Sequence, residues 1–351
     1  MIFDFAKLND SNHTFVIAEA GSNWKTHSNT NALEQVEKLV EIAASCGADA
    51  VKFQMFRSKT LYAHRPGSSD YLKKNGIGTD VGEMFENLEM PYHIVPEIHK
   101  ICKKNNIMFM SSVFSIDDAK IIDPFVEIHK IASYEINHVR LLEFVAKTKK
   151  PVIISTGAST YDEIDFAVNL IKNYNDKIAL LQCTAKYPVP IESLNLFVIP
   201  ELEKKYGLPV GFSDHSEDPI IGPVTAVGLG ARIVEKHFTT NKNNEGPDHR
   251  FALDPNELRI MIRSIRRSDL AKGSSTKTIL LEERELMQFA TRSIQATKNI
   301  RKGDILLEGI NFDVLRPGNK KRGLDARFLS KVIGKKSAID VEIGDGILEL
   351  E

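Results

Sequence analysis

The chain has 351 residues, 42% of them apolar and 26% charged, and a formal net charge of -1. That is enough for one large soluble domain and a small one. The near-balanced charge argues against a nucleic-acid or membrane-surface partner, so any anion must be held by locally placed cations.

Residues 1–10, MIFDFAKLND, carry acids and lack a long apolar stretch, so they do not read as a secretion signal. No apolar run approaches the roughly 20 residues of a membrane span. Cys46, Cys102 and Cys183 are widely spaced and odd in number. They fit small buried side chains in a reduced, cytoplasmic protein better than a disulfide framework or a thiolate metal site.

In chain order, a strand is expected over 14–21, then a helix over 30–46. Leu33, Val36, Leu39, Val40 and Ala43 recur at helical spacing there, and Gly47 supplies a stop. A strand over 50–54 follows, and then the long segment 57–91, whose length marks a functional lid or disorder. The alternation continues with helix 92–105, strands 107–114 and 126–133, helix 139–148, strand 152–157 and helix 160–173, which Ser159 and Thr160 would cap. Strand 178–184, helix 196–206, strand 209–215, helix 220–229, strand 232–239 and helix 255–270 complete the series. Eight strands alternating with helices over about 270 residues is the rhythm of a (β/α)8 TIM barrel. An open doubly wound sheet is the alternative, but the glycine-rich phosphate turn it would need after its first strand is missing at Ala20-Gly21-Ser22-Asn23-Trp24. The expected organisation is a barrel domain over 1–271, a polar linker over 272–289 and a small β-rich domain over 290–351.

In such a barrel the site lies at the C-terminal ends of the strands. Every expected strand delivers polar residues there: Glu19; Lys52 and Gln54; Ser111 and Ser112; Lys130, Ser133 and then Glu135; Ser155 and Thr156; Gln182, Thr184 and then Tyr187; Ser213 and His215; Glu235 and His237. Side chains alternate faces along a strand, so Lys52 shares a face with Gln54, Ser213 with His215, and Glu235 with His237. A lysine within a strand is usually a solvent-facing edge residue. Lys52 lies between Val51 and Phe53 in a strand that helices should cover, and facing the pore it would need an anion. The two histidines read either as structural residues or as ligands of a shared divalent ion. Ser155-Thr156-Gly157 suits phosphate binding by hydroxyl and backbone N–H groups. Lys52 and Lys130 could neutralise a phosphate and a carboxylate, and Glu19, Glu135 and Glu235 could accept protons or orient groups. Together they suit the addition of a phosphorylated enol to a carbonyl.

At these residues the chain resembles the sialic acid synthase family, which includes the N-acetylneuraminate, legionaminate and pseudaminate synthases. The resemblance rests on Ile17-Ala18-Glu19-Ala20-Gly21, Val51-Lys52-Phe53-Gln54, His129-Lys130-Ile131-Ala132-Ser133, Ile154-Ser155-Thr156-Gly157, Gly211-Phe212-Ser213-Asp214-His215 and Glu235-Lys236-His237-Phe238-Thr239. Gly246-Pro247-Asp248-His249 and Arg316-Pro317-Gly318 complete it. It implies a TIM barrel followed by an antifreeze-like (SAF) domain that caps the partner subunit's barrel in a domain-swapped homodimer. It implies that Lys52, Ser112, Lys130, Ser133, Ser155 and Ser213 hold phosphoenolpyruvate, and that His215 and His237 bind Mn2+ or Mg2+. Gln54, Glu135, Tyr187 and Asp248 would contact an N-acylated aldose, Arg316 would reach its N-acyl group from the other chain, and Glu19 and Glu235 would orient water or acceptor. The family often has histidine where Trp24 stands, which bears on acceptor choice. A non-catalytic carbohydrate-binding protein is the alternative of another class; it would not require Lys52, Lys130, His215 and His237 together.

Overall fold

The computed structural model describes residues 4–9, 12–25, 31–64, 66–67 and 80–351. They fall into two compact units, Met1–Gly273 and Ser274–Glu351.

The first unit is a closed barrel of eight parallel strands. The strands are β1 (Phe15–Gly21), β2 (Ala50–Met55), β3 (Met108–Val113), β4 (His129–Ile131), β5 (Val152–Ser155), β6 (Ile178–Cys183), β7 (Val210–Asp214) and β8 (Ile233–His237), with β8 pairing back onto β1. Helices α1 (Ala32–Cys46), α2 (Ser58–Leu61), α3 (Val81–Asn87), α4 (Val95–Lys104), α5 (Ile116–Ile122), α6 (Val139–Lys147), α7 (Tyr161–Lys172), α8 (Val198–Tyr206), α9 (Ile221–Gly228) and α10 (Pro255–Lys272) connect and follow them.

Strand parity sorts the core into two. Outward residues such as Val16, Ala18, Val51, Phe53, Ile154, Leu180, Phe212 and Val234 pack under the helices with Val36, Leu39 and Val40 of α1. The alternate residues Phe15, Ile17, Met108, Met110, Ile153, Leu181 and Ile233 fill the pore. Gly211 belongs to this inner set: a Cβ there would lie 2.4 Å from the Ile233 carbonyl oxygen and 2.7 Å from Leu181 Cδ2. The inner set is apolar only in its lower layers, and one or two residues further along each strand it turns polar.

Local signals act where expected. Gly47 ends α1 in the left-handed region at φ 88°, and Thr160 caps α7 in a reciprocal box with Glu163. Three differences stand out. Helix α5, unmarked by periodicity, is only seven residues long and is held by the Ser115 cap; its apolar face spans too few turns to register. The expected strand 126–133 pairs only at His129–Ile131, because Ser133–Glu135 coils into a 3-10 turn. Of the long 57–91 segment, 65 and 68–79 lie outside the described residues. Its described parts form α2 and α3, tied by Ser58 Oγ donating to the Gly82 carbonyl at 2.7 Å and by Phe85 packing on Phe56 and Tyr62.

The second unit has its own core of Ile294, Ala296, Ile300, Leu306, Phe312, Val332, Val341 and Ile347. Strands β9 (Ser293–Ala296) and β10 (Phe312–Leu315) pair antiparallel, and short bridges tie the remaining segments. A Cβ on Gly346 would sit 1.9 Å from Gly323 N, so only a glycine pair lets these two backbones touch. Within 272–289 the chain forms a 3-10 turn, Leu281–Glu283, and begins α11 (Arg284–Ala290). The last helix is α12 (Leu329–Val332).

Candidate active site

The polar upper layers of the pore converge on one cluster. Lys52, from β2, places Nζ 2.7 Å from Glu19 Oε2, 2.9 Å from Ser112 Oγ and 3.7 Å from Glu235 Oε2. Lys130, from β4, donates to Ser155 Oγ at 2.7 Å and lies 3.6 Å from Glu235 Oε1. Ser213 Oγ donates to that same oxygen at 3.1 Å, and Gln54 Nε2 donates to Glu19 Oε1 at 2.9 Å. Seven of the eight strands, all but β6, thus contribute to the contacts around Glu235 and two ammonium groups, which are nearly inaccessible to water.

Two ammonium groups face two carboxylates here, and their surroundings treat the two carboxyls differently. Burial opposes ionisation of Glu235, but Lys130 and then Lys52 outweigh it and hold its carboxyl at about 2. Burial dominates at Glu19 and, despite Lys52, pushes it up to about 7. Lys52 is raised, since Glu19 and Glu235 overcome its burial, whereas burial wins at Lys130 and lowers it. Glu235 is therefore the firmly ionised partner of both lysines, whereas burial holds Glu19 back from ionisation beside Lys52. Two buried lysines with hydroxyls beside them make this the candidate position for an anion, which would offset the desolvation of Lys130.

Beside this cluster, Ser133 Oγ accepts a hydrogen bond from Gly157 N at 3.0 Å. A Cβ on Gly157 would meet Ser133 Oγ at 2.8 Å and Cys183 Sγ at 2.9 Å, so the loop after β5 closes on the β4 and β6 ends only without a side chain. Glu135 is buried, and that burial raises it to about 7.

His215 and His237 stand next to each other, their ring centroids 5.8 Å apart. Tyr187 lies 4.1 Å from the His215 ring, and Phe251 lies 5.2 Å from the His237 ring. His215 Nδ1 is 3.0 Å from the Thr184 carbonyl oxygen, which can only accept, so Nδ1 carries the proton and Nε2 keeps its lone pair. His237 Nδ1 is buried without a hydrogen-bond partner, 4.0 Å from Asp248 Oδ2. Burial, helped by the neighbouring His237 and Lys52 respectively, pushes both imidazoles down to about 3, so both are neutral. Two neutral nitrogens, one of them unpartnered, fit a divalent cation that takes its other ligands from water or substrate. Among the described residues no group of three or more His, Cys, Asp or Glu is gathered for a metal.

Asp248 approaches from the loop after β8 and accepts from Ser22 Oγ at 3.0 Å. Burial raises its carboxyl despite that bond. Gly21, at φ 53°, clears space for it, since a Cβ there would lie 3.0 Å from Asp248 Oδ2. Of the residues given site roles by the resemblance, all but Arg316 belong to the barrel unit. Arg316 is exposed in the second unit, just after β10. Trp24 does not face the cluster; it is buried in the apolar layer beneath the helices. Cys183 is buried as expected, but its thiol lies 3.8 Å from His215 Nδ1 and lines the candidate site. Cys183 and Phe251 were missed as site residues because apolar-like side chains near strand ends carry no distinguishing pattern.

The chain matches the NeuB family over residues 39–277. It is 39% identical to spore coat polysaccharide biosynthesis protein SpsE of Bacillus subtilis, over 95% of this chain and 92% of that one. It is 36% identical to N,N'-diacetyllegionaminic acid synthase of Campylobacter jejuni, over 92% and 95%. Among solved structures it is similar to N-acetylneuraminic acid (sialic acid) synthetase from Leptospira borgpetersenii in complex with citrate, with a TM-score of 0.70, 29% identity and coverage of 80% of this chain and 92% of that one.

Proposed function

The chain belongs to the NeuB family, and from that premise we propose that it is a transferase condensing phosphoenolpyruvate with an open-chain N-acylated hexose, N-acetylmannosamine or a relative. The product is a nine-carbon 2-keto sugar acid, with release of phosphate. The observation that carries this reading is the pair of buried lysines, Lys52 and Lys130, set beside the hydroxyls of Ser112 and Ser155 at the mouth of the barrel.

In this reading the two ammonium groups hold the phosphate and carboxylate of phosphoenolpyruvate, and Ser112, Ser133, Ser155 and Ser213 bind its oxygens. The enol C3 forms a bond to the acceptor aldehyde carbon, whose oxygen takes up a proton. Water adds at C2, and phosphate leaves with cleavage of its C–O bond. Glu19, poised near neutrality and steadied by Gln54, takes the proton that the added water releases. Glu235 stays ionised and orients both lysines. Gln54, Glu135, Tyr187 and Asp248 line the acceptor's side of the pocket. His215 and His237 would hold Mn2+ or Mg2+, which when bound supplies Lewis acidity toward the acceptor carbonyl. The second unit is an antifreeze-like (SAF) domain in this reading, and Arg316 of the partner subunit contacts the N-acyl group in a swapped homodimer.

The 36% identity to a diacetyllegionaminic acid synthase favours one variant of this reading, with a 2,4-diacetamido-trideoxyhexose as acceptor. Phosphate release from phosphoenolpyruvate, measured with a panel of N-acylated hexoses and followed by mass spectrometry of the products, separates the two. Release with none of them would reject the proposal.

A further inference from the structure

The residues between the site-facing positions of β7 and β8 form a buried ion pair with no part in the chemistry above. The register sets Asp214 opposite Lys236, as it sets Ser213 opposite Glu235. Because parity alternates, Ser213 and Glu235 face the pore while Asp214 and Lys236 face the helical layer. Lys236 Nζ lies 2.5 Å from Asp214 Oδ2, 2.7 Å from the Ser216 carbonyl oxygen and 3.1 Å from Ser216 Oγ. All three ammonium hydrogens are thereby used. Asp214 Oδ1 accepts from Ser216 N at 2.8 Å. The residues on both sides of His215 are therefore bound to a single ammonium on β8, one residue before His237. The clamp is sealed from water: both side chains are almost wholly buried, and a Cβ on Gly222 of α9 would sit 2.9 Å from Asp214 Oδ2.

A buried pair of this kind adds little net stability, since desolvation offsets its attraction. What it provides here is position. The turn after β7 has few other ties: His215 Nδ1 to the Thr184 carbonyl, and Val189 N donating to the His215 carbonyl. Both of these run to the β6 side. Past the end of the β7–β8 ladder, the described side-chain bonds that tie the residues flanking His215 to the strand carrying His237 run through Lys236.

We propose that Asp214, Ser216 and Lys236 are positioning residues that fix the spacing of His215 and His237 and so set the affinity of the site for a divalent cation. The inference rests on the two-histidine reading above. The test is Mn2+ binding to the purified full-length protein, followed by the electron paramagnetic resonance signal of free Mn2+, alongside thermal unfolding. Lys236→Met strands a buried carboxylate and should lower both stability and affinity. The Asp214→Asn, Lys236→Met double variant removes both charges and keeps an acceptor for Ser216 N. It should recover thermal stability yet bind Mn2+ about 10- to 100-fold more weakly, the usual effect of cutting an outer-layer support of metal ligands. Ser216→Ala, which spares the pair, should fold normally and lose about threefold, the worth of one hydrogen bond. Wild-type Mn2+ affinity in the folded double variant or in Ser216→Ala would overturn the inference while leaving the two-histidine reading intact. A His215→Ala, His237→Ala chain that still binds Mn2+ as the wild type does would overturn both.

Discussion

Replacing Lys130 by methionine removes one of the two cations at the floor of the barrel mouth while roughly keeping its volume. Lys130 lies 2.7 Å from Ser155 Oγ, 3.1 Å from the Ile131 carbonyl oxygen and 3.6 Å from Glu235, and its burial lowers its pKa despite these partners. A hydrogen bond to a charged group contributes about 1.5–3 kcal/mol, so the apparent KM for phosphoenolpyruvate should rise about 10- to 100-fold. The acceptor contacts other residues, so its KM should move by less than about threefold. The ligand-free protein should lose some stability, because Glu235 keeps only Lys52 as a cationic partner, yet stay folded at the assay temperature. Initial rates of phosphate release, with each substrate varied at saturating levels of the other, give both constants, and thermal unfolding gives the third quantity. Equal small changes in the two KM values, or a loss of stability large enough to account for the loss of rate, would refute the assignment of Lys130 to the phosphoenolpyruvate site.

Four further outcomes are expected. Glu135 is raised by burial to about 7, so its ionised form is disfavoured in the folded chain and stability falls as pH rises from about 4.5 to about 7. Glu135→Gln should therefore stabilise at pH 8 more than at pH 5, by no more than about 2 kcal/mol after solvent screening; chemical unfolding at both pH values checks this, and an equal effect at the two would count against it. Gly157→Ala forces a Cβ to within 2.8 Å of Ser133 Oγ and 2.9 Å of Cys183 Sγ, and should cost about 1–3 kcal/mol and raise the phosphoenolpyruvate KM, read by unfolding and steady-state rates. Chelation should abolish phosphate release and Mn2+ should restore it, and full activity of a chelated His215→Ala, His237→Ala chain would rule the metal site out. If Arg316 acts across a dimer interface, mixing Arg316→Ala chains with Lys52→Ala chains should recover part of the activity that each lacks alone; no recovery despite proven subunit exchange would reject the cross-subunit role.

The strand–helix alternation was legible in the sequence because its causes are local. Period-two runs such as Val51-Lys52-Phe53-Gln54 and the helical spacing of Leu33, Val36, Leu39, Val40 and Ala43 record which faces are covered, and Gly47 and Thr160 punctuate the helices by their own chemistry. Parity alone put Lys52 with Gln54 and Glu235 with His237, since strand geometry forces it. Short elements escaped: α5 has too few turns for a period, and β4 pairs over only three residues because the chain coils into a 3-10 turn at Ser133–Glu135, which no period in the sequence marks. What the sequence could not hold was anything measured across the barrel. The gathering of Lys52, Lys130 and Glu235 depends on closure, which brings β8 against β1. Cys183 and Phe251 became site residues, and Trp24 became core, only when the loops and helices were packed. Burial and the lysines then moved the carboxyls of Glu19 and Glu235, which look alike in the sequence, in opposite directions, because Glu235 lies near both lysines and Glu19 near only one.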